Sequence, residues 1–207
     1  MKQTLYSSRS NLYIGFHGCD KSVAKKIING EKNMKPSQNL YDWLGHGMYF
    51  WENNELRAKQ FAEETSRRNG SSIKDPFVIG AVIDLGYCLD LTDASCLYEL
   101  RKSYVALKDA MSKSGEKMPK NQGIDKNGDL LLRNLDCAVI EYEHTLNEEA
   151  KVKSFDTVRG VFTEGAELYP GSGIHEKNHI QICVRNPNCI KGYFLPRQKD
   201  ESYSNPE

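Results

Sequence analysis

The chain has no surplus of either charge: its 28 Lys and Arg are matched by 28 Asp and Glu, and its pI is near 7.0. That removes the global basic footprint with which proteins hold nucleic acid non-specifically. It has no apolar run as long as a membrane span. Its six cysteines (Cys19, Cys88, Cys96, Cys137, Cys183 and Cys189) contain no C-x-x-C pair, and the start, MKQTLYSSRSN, is too polar for a signal peptide. Reduced thiols in a cytoplasmic protein are therefore expected. Neither G-x-x-x-x-G-K-[ST] nor G-x-G-x-x-G occurs, so no phosphate-binding loop of those types is indicated. What remains is 39% apolar and 27% charged residues, ordinary for one globular domain of this size.

The order of elements follows from hydrophobic period and caps. Residues 12 to 19 read as a strand. A short helix follows, opened by Asp20 or Ser22 and stopped by Gly30. Met48 to Trp51 read as a strand, and Asn53 or Asn54 caps a second helix ending at Gly70. The run 76 to 86 is a buried central strand. Leu97, Leu100, Tyr104, Leu107 and Met111 mark a helix over 93 to 113. Residues 137 to 143 (CAVIEYE), 158 to 162, 179 to 184 and 189 to 195 read as strands. An α+β domain over 1 to 197 is expected, with a polar, disordered tail over 198 to 207.

One literal motif invites a metal reading. His175-Glu176-Lys177-Asn178-His179 is an H-E-x-x-H, which binds zinc only when a helix stacks its histidines one turn apart. Pro170, Gly171 and Gly173 deny it that helix, and Ile180, Ile182 and Val184 alternate as in a strand. In a strand the two histidines stand about 13 Å apart, too far to share one ion. A loop running into a buried strand, with no metal, is the expectation. Asp125-x-Asn127-x-Asp129 looks like the start of a calcium loop, but Leu130 replaces its required glycine and Asp136 its final glutamate.

Three stretches carry the remaining chemical signal: Phe16-His17-Gly18, Gly47-Met48-Tyr49-Phe50, and Gln181 to Ile190 with Asn186-Pro187 inside it. In this order they resemble the ADP-ribosyltransferases, specifically the diphtheria-toxin and poly(ADP-ribose) polymerase branch with its His-Tyr-Glu constellation. The resemblance spans residues 12 to about 195. It implies two packed, mostly antiparallel sheets flanked by helices and forming a split NAD cleft. It implies NAD+ as co-substrate, cleaved at the nicotinamide–ribose bond. His17 would bond the adenosine ribose and the Gly18 backbone would grip the nicotinamide carboxamide beside Gly47. Tyr49 would stack on the nicotinamide, with Tyr41 or Trp43 closing the other face.

The chain departs from the branch at its third member. Gln181 stands where a carboxylate normally holds the ribose hydroxyl and stabilises positive charge. It accepts a hydrogen bond but carries no charge. Glu176 could swing in to supply one, a register shifted by two would place His179 there, and Glu164 and Glu141 are further carboxylates near strand ends. The Ser-Thr-Ser strand of the arginine-directed branch is missing, and so is the basic set near His17 that RNA 2′-phosphotransferase chemistry would need. The resemblance thus implies a mono-ADP-ribosyltransferase acting on a macromolecular acceptor, protein or nucleic acid. A bacterial intracellular toxin or effector with an antitoxin partner and no membrane association fits that expectation. A catalytically weak NAD-binding member of the same fold is the alternative.

Overall fold

A computed structural model describes residues 12–124 and 128–204. Nine strands and four helices follow in the order β1 (Leu12–Asp20), α1 (Lys21–Ile28), β2 (Met48–Glu52), α2 (Glu55–Ser66), β3 (Pro76–Asp84), β4 (Cys88–Asp90), α3 (Ala94–Ser114), β5 (Asn121–Ile124), β6 (Leu130–Arg133), α4 (Asn134–Glu149), β7 (Thr157–Phe162), β8 (His179–Val184) and β9 (Ile190–Phe194). Side-chain caps start three of the helices. Asp20 accepts from the Ser22 amide at 2.9 Å, Asn54 from that of Arg57 at 3.0 Å, and Asp93 from that of Ser95 at 2.8 Å. Gly115, at φ 75°, closes α3 in the left-handed conformation that its missing side chain permits.

Seven strands form one sheet in the order β4-β7-β8-β2-β1-β3-β9, antiparallel except for the parallel β4–β7 pair. The two sheets expected from the resemblance are thus one hydrogen-bonded sheet plus a separate β5–β6 hairpin. The large sheet nonetheless has a weak seam. β1 pairs β3 through nine residues, from Leu12↔Asp84 to Asp20↔Pro76, whereas β1 pairs β2 only at Gly15↔Glu52 and Phe16↔Trp51. Past Phe16, β1 continues along β3 while the start of β2 continues along β8, so the two halves part between His17 and Tyr49.

Each face of the sheet is buried. Met48, Phe50, Ala81, Ile83, Ile182 and Val184 pack on one side. On the other, α2 covers Trp51 and Val78, and α3 and α4 lie over Leu89, Val158 and Cys183. Burial of this kind contributes about 25 cal/mol per Å² of apolar surface and dominates the fold's stability. The stretch 137 to 143 is helical, correcting the strand expectation. Cys137, Ile140 and His144 recur at helical spacing and are buried, together with Val139 and Glu143. Seven residues with a β-branched centre were too short a window to show that period. The tail from 198 to 204 holds no helix or strand, and no helix among the described residues is long and apolar enough to cross a membrane.

Candidate functional site

The three motif stretches, 32 and 132 residues apart in sequence, lie on the adjacent strands β1, β2 and β8. His17 Nδ1 sits 2.8 Å from the Tyr49 carbonyl oxygen, across the point where β1 and β2 diverge. A carbonyl only accepts, so Nδ1 carries the proton, and Nε2 of the neutral ring is left as an acceptor. Burial lowers the His17 pKa, although the bond to Tyr49 opposes it, which keeps the ring neutral. An acceptor is the right group to take a hydrogen bond from a ribose hydroxyl.

Side-chain directions separate the set. Opposite residues of an antiparallel pair share a face. Tyr49↔Cys183, Trp51↔Gln181 and Gly160↔Gln181 therefore put Tyr49, Trp51, Gly160 and Gln181 on the helix-covered side with α2, α3 and α4. His17 points to the other side, its ring 6.0 Å from Phe50. His17 and Tyr49 thus meet through one ring and one backbone carbonyl, not ring to ring.

The Tyr49 hydroxyl is engaged. It donates to Gly45 O at 2.6 Å and accepts from the Leu44 amide at 2.8 Å, which pins the loop before β2. Burial pushes its pKa far up, so it stays protonated. Gly47 and Gly18 are both places of close approach, but to protein. A Cβ on Gly47 would lie 2.5 Å from Cys183 Sγ and 2.7 Å from Val184 O, and one on Gly18 would collide with the Ala58 carbonyl of α2. Tyr41 is exposed in the loop before β2. Trp43 packs on Phe162, ring centroids 4.8 Å apart, against the same core cluster as Tyr49.

The carboxylates sort by their partners. Glu141 is taken up by Arg185 and by the His46 amide at 2.7 Å, so it anchors the loop ahead of β2. Glu176 is exposed on the β7–β8 loop, beside a groove formed with Glu64 and Arg67 of the α2 region. It does not join Gln181. Glu164, just past β7, is half-buried: its Oε2 lies 3.4 Å from Arg57 Nη2 and 3.5 Å from His179 Nδ1. Burial raises its pKa, with Arg57 pulling the other way.

Around this carboxylate lies a polar cluster that the sequence did not announce. Arg57 is 7% exposed and its guanidinium lies 5.7 Å from the Trp51 ring. Arg57 Nε and Nη1, Trp51 Nε1 and His179 Nε2 are all buried without a protein partner. Such groups cost about 1–3 kcal/mol each when left unsatisfied. Trp51 and His179 are the cross-strand and same-strand neighbours of Gln181, so this polar pocket of the core borders the Gln181 position. Neither histidine of the H-E-x-x-H lies on a helix: His175 Nδ1 contacts Gly165 O at 2.8 Å and His179 Nδ1 contacts Lys177 O at 2.6 Å. Residues 125 to 127 of the calcium-like loop lie outside the described residues. Asp129 accepts from the Gly165 amide at 2.7 Å, and Asp136 pairs with Arg133 at 3.5 Å.

No protein-family model and no solved structure matches the chain. A relative does. It is the uncharacterized protein MJ0359 of Methanocaldococcus jannaschii, 29% identical over 192 residues that cover 85% of this chain and 83% of its own. The match takes in most of the length of both chains.

Proposed function

We propose that the protein is an NAD+-dependent mono-ADP-ribosyltransferase acting on a macromolecular acceptor. The observation that carries this reading is that His17, Tyr49 and Gln181 stand on three neighbouring strands, beside the seam where β1 and β2 part. A split of this kind gives a dinucleotide a place to lie against backbone. The neutral His17 offers an acceptor to the adenosine ribose, and Gln181 Oε1 offers one to the nicotinamide ribose. In the reaction the nicotinamide–ribose bond breaks with its electron pair leaving on nicotinamide, and an acceptor nucleophile closes on the ribose carbon while losing a proton. Gln181 positions the ribose without charge stabilisation, so slow turnover is expected. The test is release of nicotinamide from NAD+ in the presence of cell lysate, followed in wild type and in His17→Ala. Release that depends on His17 supports the reading, and its absence at every lysate fraction overturns it.

A second reading has its own observation. Gln181 carries no charge to stabilise an oxocarbenium-like transition state. A member of the same fold that binds NAD+ without cleaving it accounts for that. Calorimetric binding without nicotinamide release distinguishes it.

A further inference from the structure

A cavity of about 650 Å³ opens between β7, α3, α4 and the loop carrying Trp43. Its floor is aliphatic, made by Leu44, Leu91, Leu100 and Ile140. One wall is of a different kind. The Trp43 and Phe162 rings meet at 4.8 Å, and the Arg133 guanidinium lies 4.5 Å from the first and 5.5 Å from the second. Arg133 Nε is buried without a partner, and its Nη1 reaches Asp136 only at 3.5 Å. Arg101, exposed on α3, stands at the mouth, so two arginines face one aspartate around the cavity.

These features select a ligand chemistry. A wholly aliphatic occupant would bring no acceptor to the Arg133 guanidinium, whose side chain is 22% exposed. A planar ring with an acceptor edge packs beside the aromatic wall and takes a hydrogen bond from the open edge of that guanidinium. The excess of positive charge at the mouth favours an anionic substituent on the ring's far side. The volume is within the range of small-molecule sites. Gly160 keeps the space open, since a Cβ there would lie 2.9 Å from Leu44 Cδ2 and protrude among the lining residues.

We propose that this cavity binds a mononucleotide, the base against Trp43 and Phe162 with an acceptor on Arg133, and the phosphate toward Arg101. The site is separate from His17 and does not depend on NAD+ cleavage. Trp43 lies in the cavity wall and Trp51 in the interior, so saturable quenching of Trp43 fluorescence reads occupancy, with calorimetry as the label-free check. The probes are AMP, GMP, CMP and UMP, with inorganic phosphate and a hydrophobic dye as controls. At least one nucleotide is expected to bind with Kd below about 1 mM. Arg133→Gln is expected to weaken it about tenfold or more, as is the surface reversal Arg101→Glu, which leaves the core untouched. No saturation by any of the four up to about 5 mM overturns the proposal, as does binding unaffected by Arg101→Glu or a response to the dye alone.

Discussion

His17 and Tyr49 are joined by a single 2.8 Å contact from an imidazole nitrogen to a backbone carbonyl, while their side chains leave the sheet on opposite faces. The contact spans the seam where the sheet passes from nine-residue pairing on one side of β1 to two-residue pairing on the other. His17 is therefore a strut across the seam whose other ring nitrogen, Nε2, is left as an acceptor.

Removing the strut has a structural cost that is separable from chemistry. His17→Ala leaves the Tyr49 carbonyl without its donor, and a loss of about 1–2 kcal/mol in urea unfolding is expected. His17→Asn retains a donor near the carbonyl and should recover part of the stability, but not the acceptor geometry for ribose. NAD+ affinity measured in both variants separates the two roles.

Gly18 and Gly47 are predicted to behave as packing residues. Gly18→Ala forces the Cβ into the Ala58 carbonyl, and Gly47→Ala forces it onto Cys183 and Val184. Each should destabilise by about 1–3 kcal/mol through overpacking. Thermal melts check this. A melt unchanged by either substitution would contradict the close packing of α2 on Gly18, or of β8 on Gly47.

Acid should weaken the fold through its buried histidines. Burial lowers the pKa of both His144 and His179 to about 4, from 6.5. The unfolded chain therefore binds more protons between these values, so stability is complete above pH 6.5 and falls as pH drops toward 4. Each contributes on the order of 2–3 kcal/mol to that loss. Glu164, raised by burial, opposes it over part of the same window. Unfolding free energies at several pH values from 7.5 to 4.5 check the slope, and His144→Gln should reduce it.

Arg159 is predicted to be the most costly polar residue to truncate. It grips Glu52 with Nε at 2.6 Å and Nη2 at 2.9 Å, reaches Asp90 at 3.3 Å, and is 8% exposed. Arg159→Ala strands buried carboxylates and should cost about 3–5 kcal/mol, measured by denaturant unfolding.

The sequence was legible where one local rule sufficed. Asp20, Asn54 and Asp93 marked helix starts, and the alternation after His179 marked β8 and excluded a zinc helix. It was misleading over Cys137 to Glu143, where Val139 and Ile140 imitate a strand and only the longer period to His144 reveals the helix. The three motif stretches could be placed on strands because each carries its own residue pattern. The Arg57–Glu164–His179 cluster was not, because its members come from α2, the end of β7 and the start of β8, and nothing in their spacing links them. The directions of His17 and Tyr49 depend on β1 pairing β3 rather than continuing along β2, which is a matter of register that no local pattern records.

The central claim is tested most directly at Gln181. Gln181→Glu restores a carboxylate between Trp51 and Gly160, where positive charge would develop on the ribose. Nicotinamide release from NAD+ should rise on the order of a hundredfold over wild type, and the gain should vanish in Gln181→Glu with His17→Ala. A folded Gln181→Glu protein that binds no NAD+ and releases no nicotinamide would contradict the account.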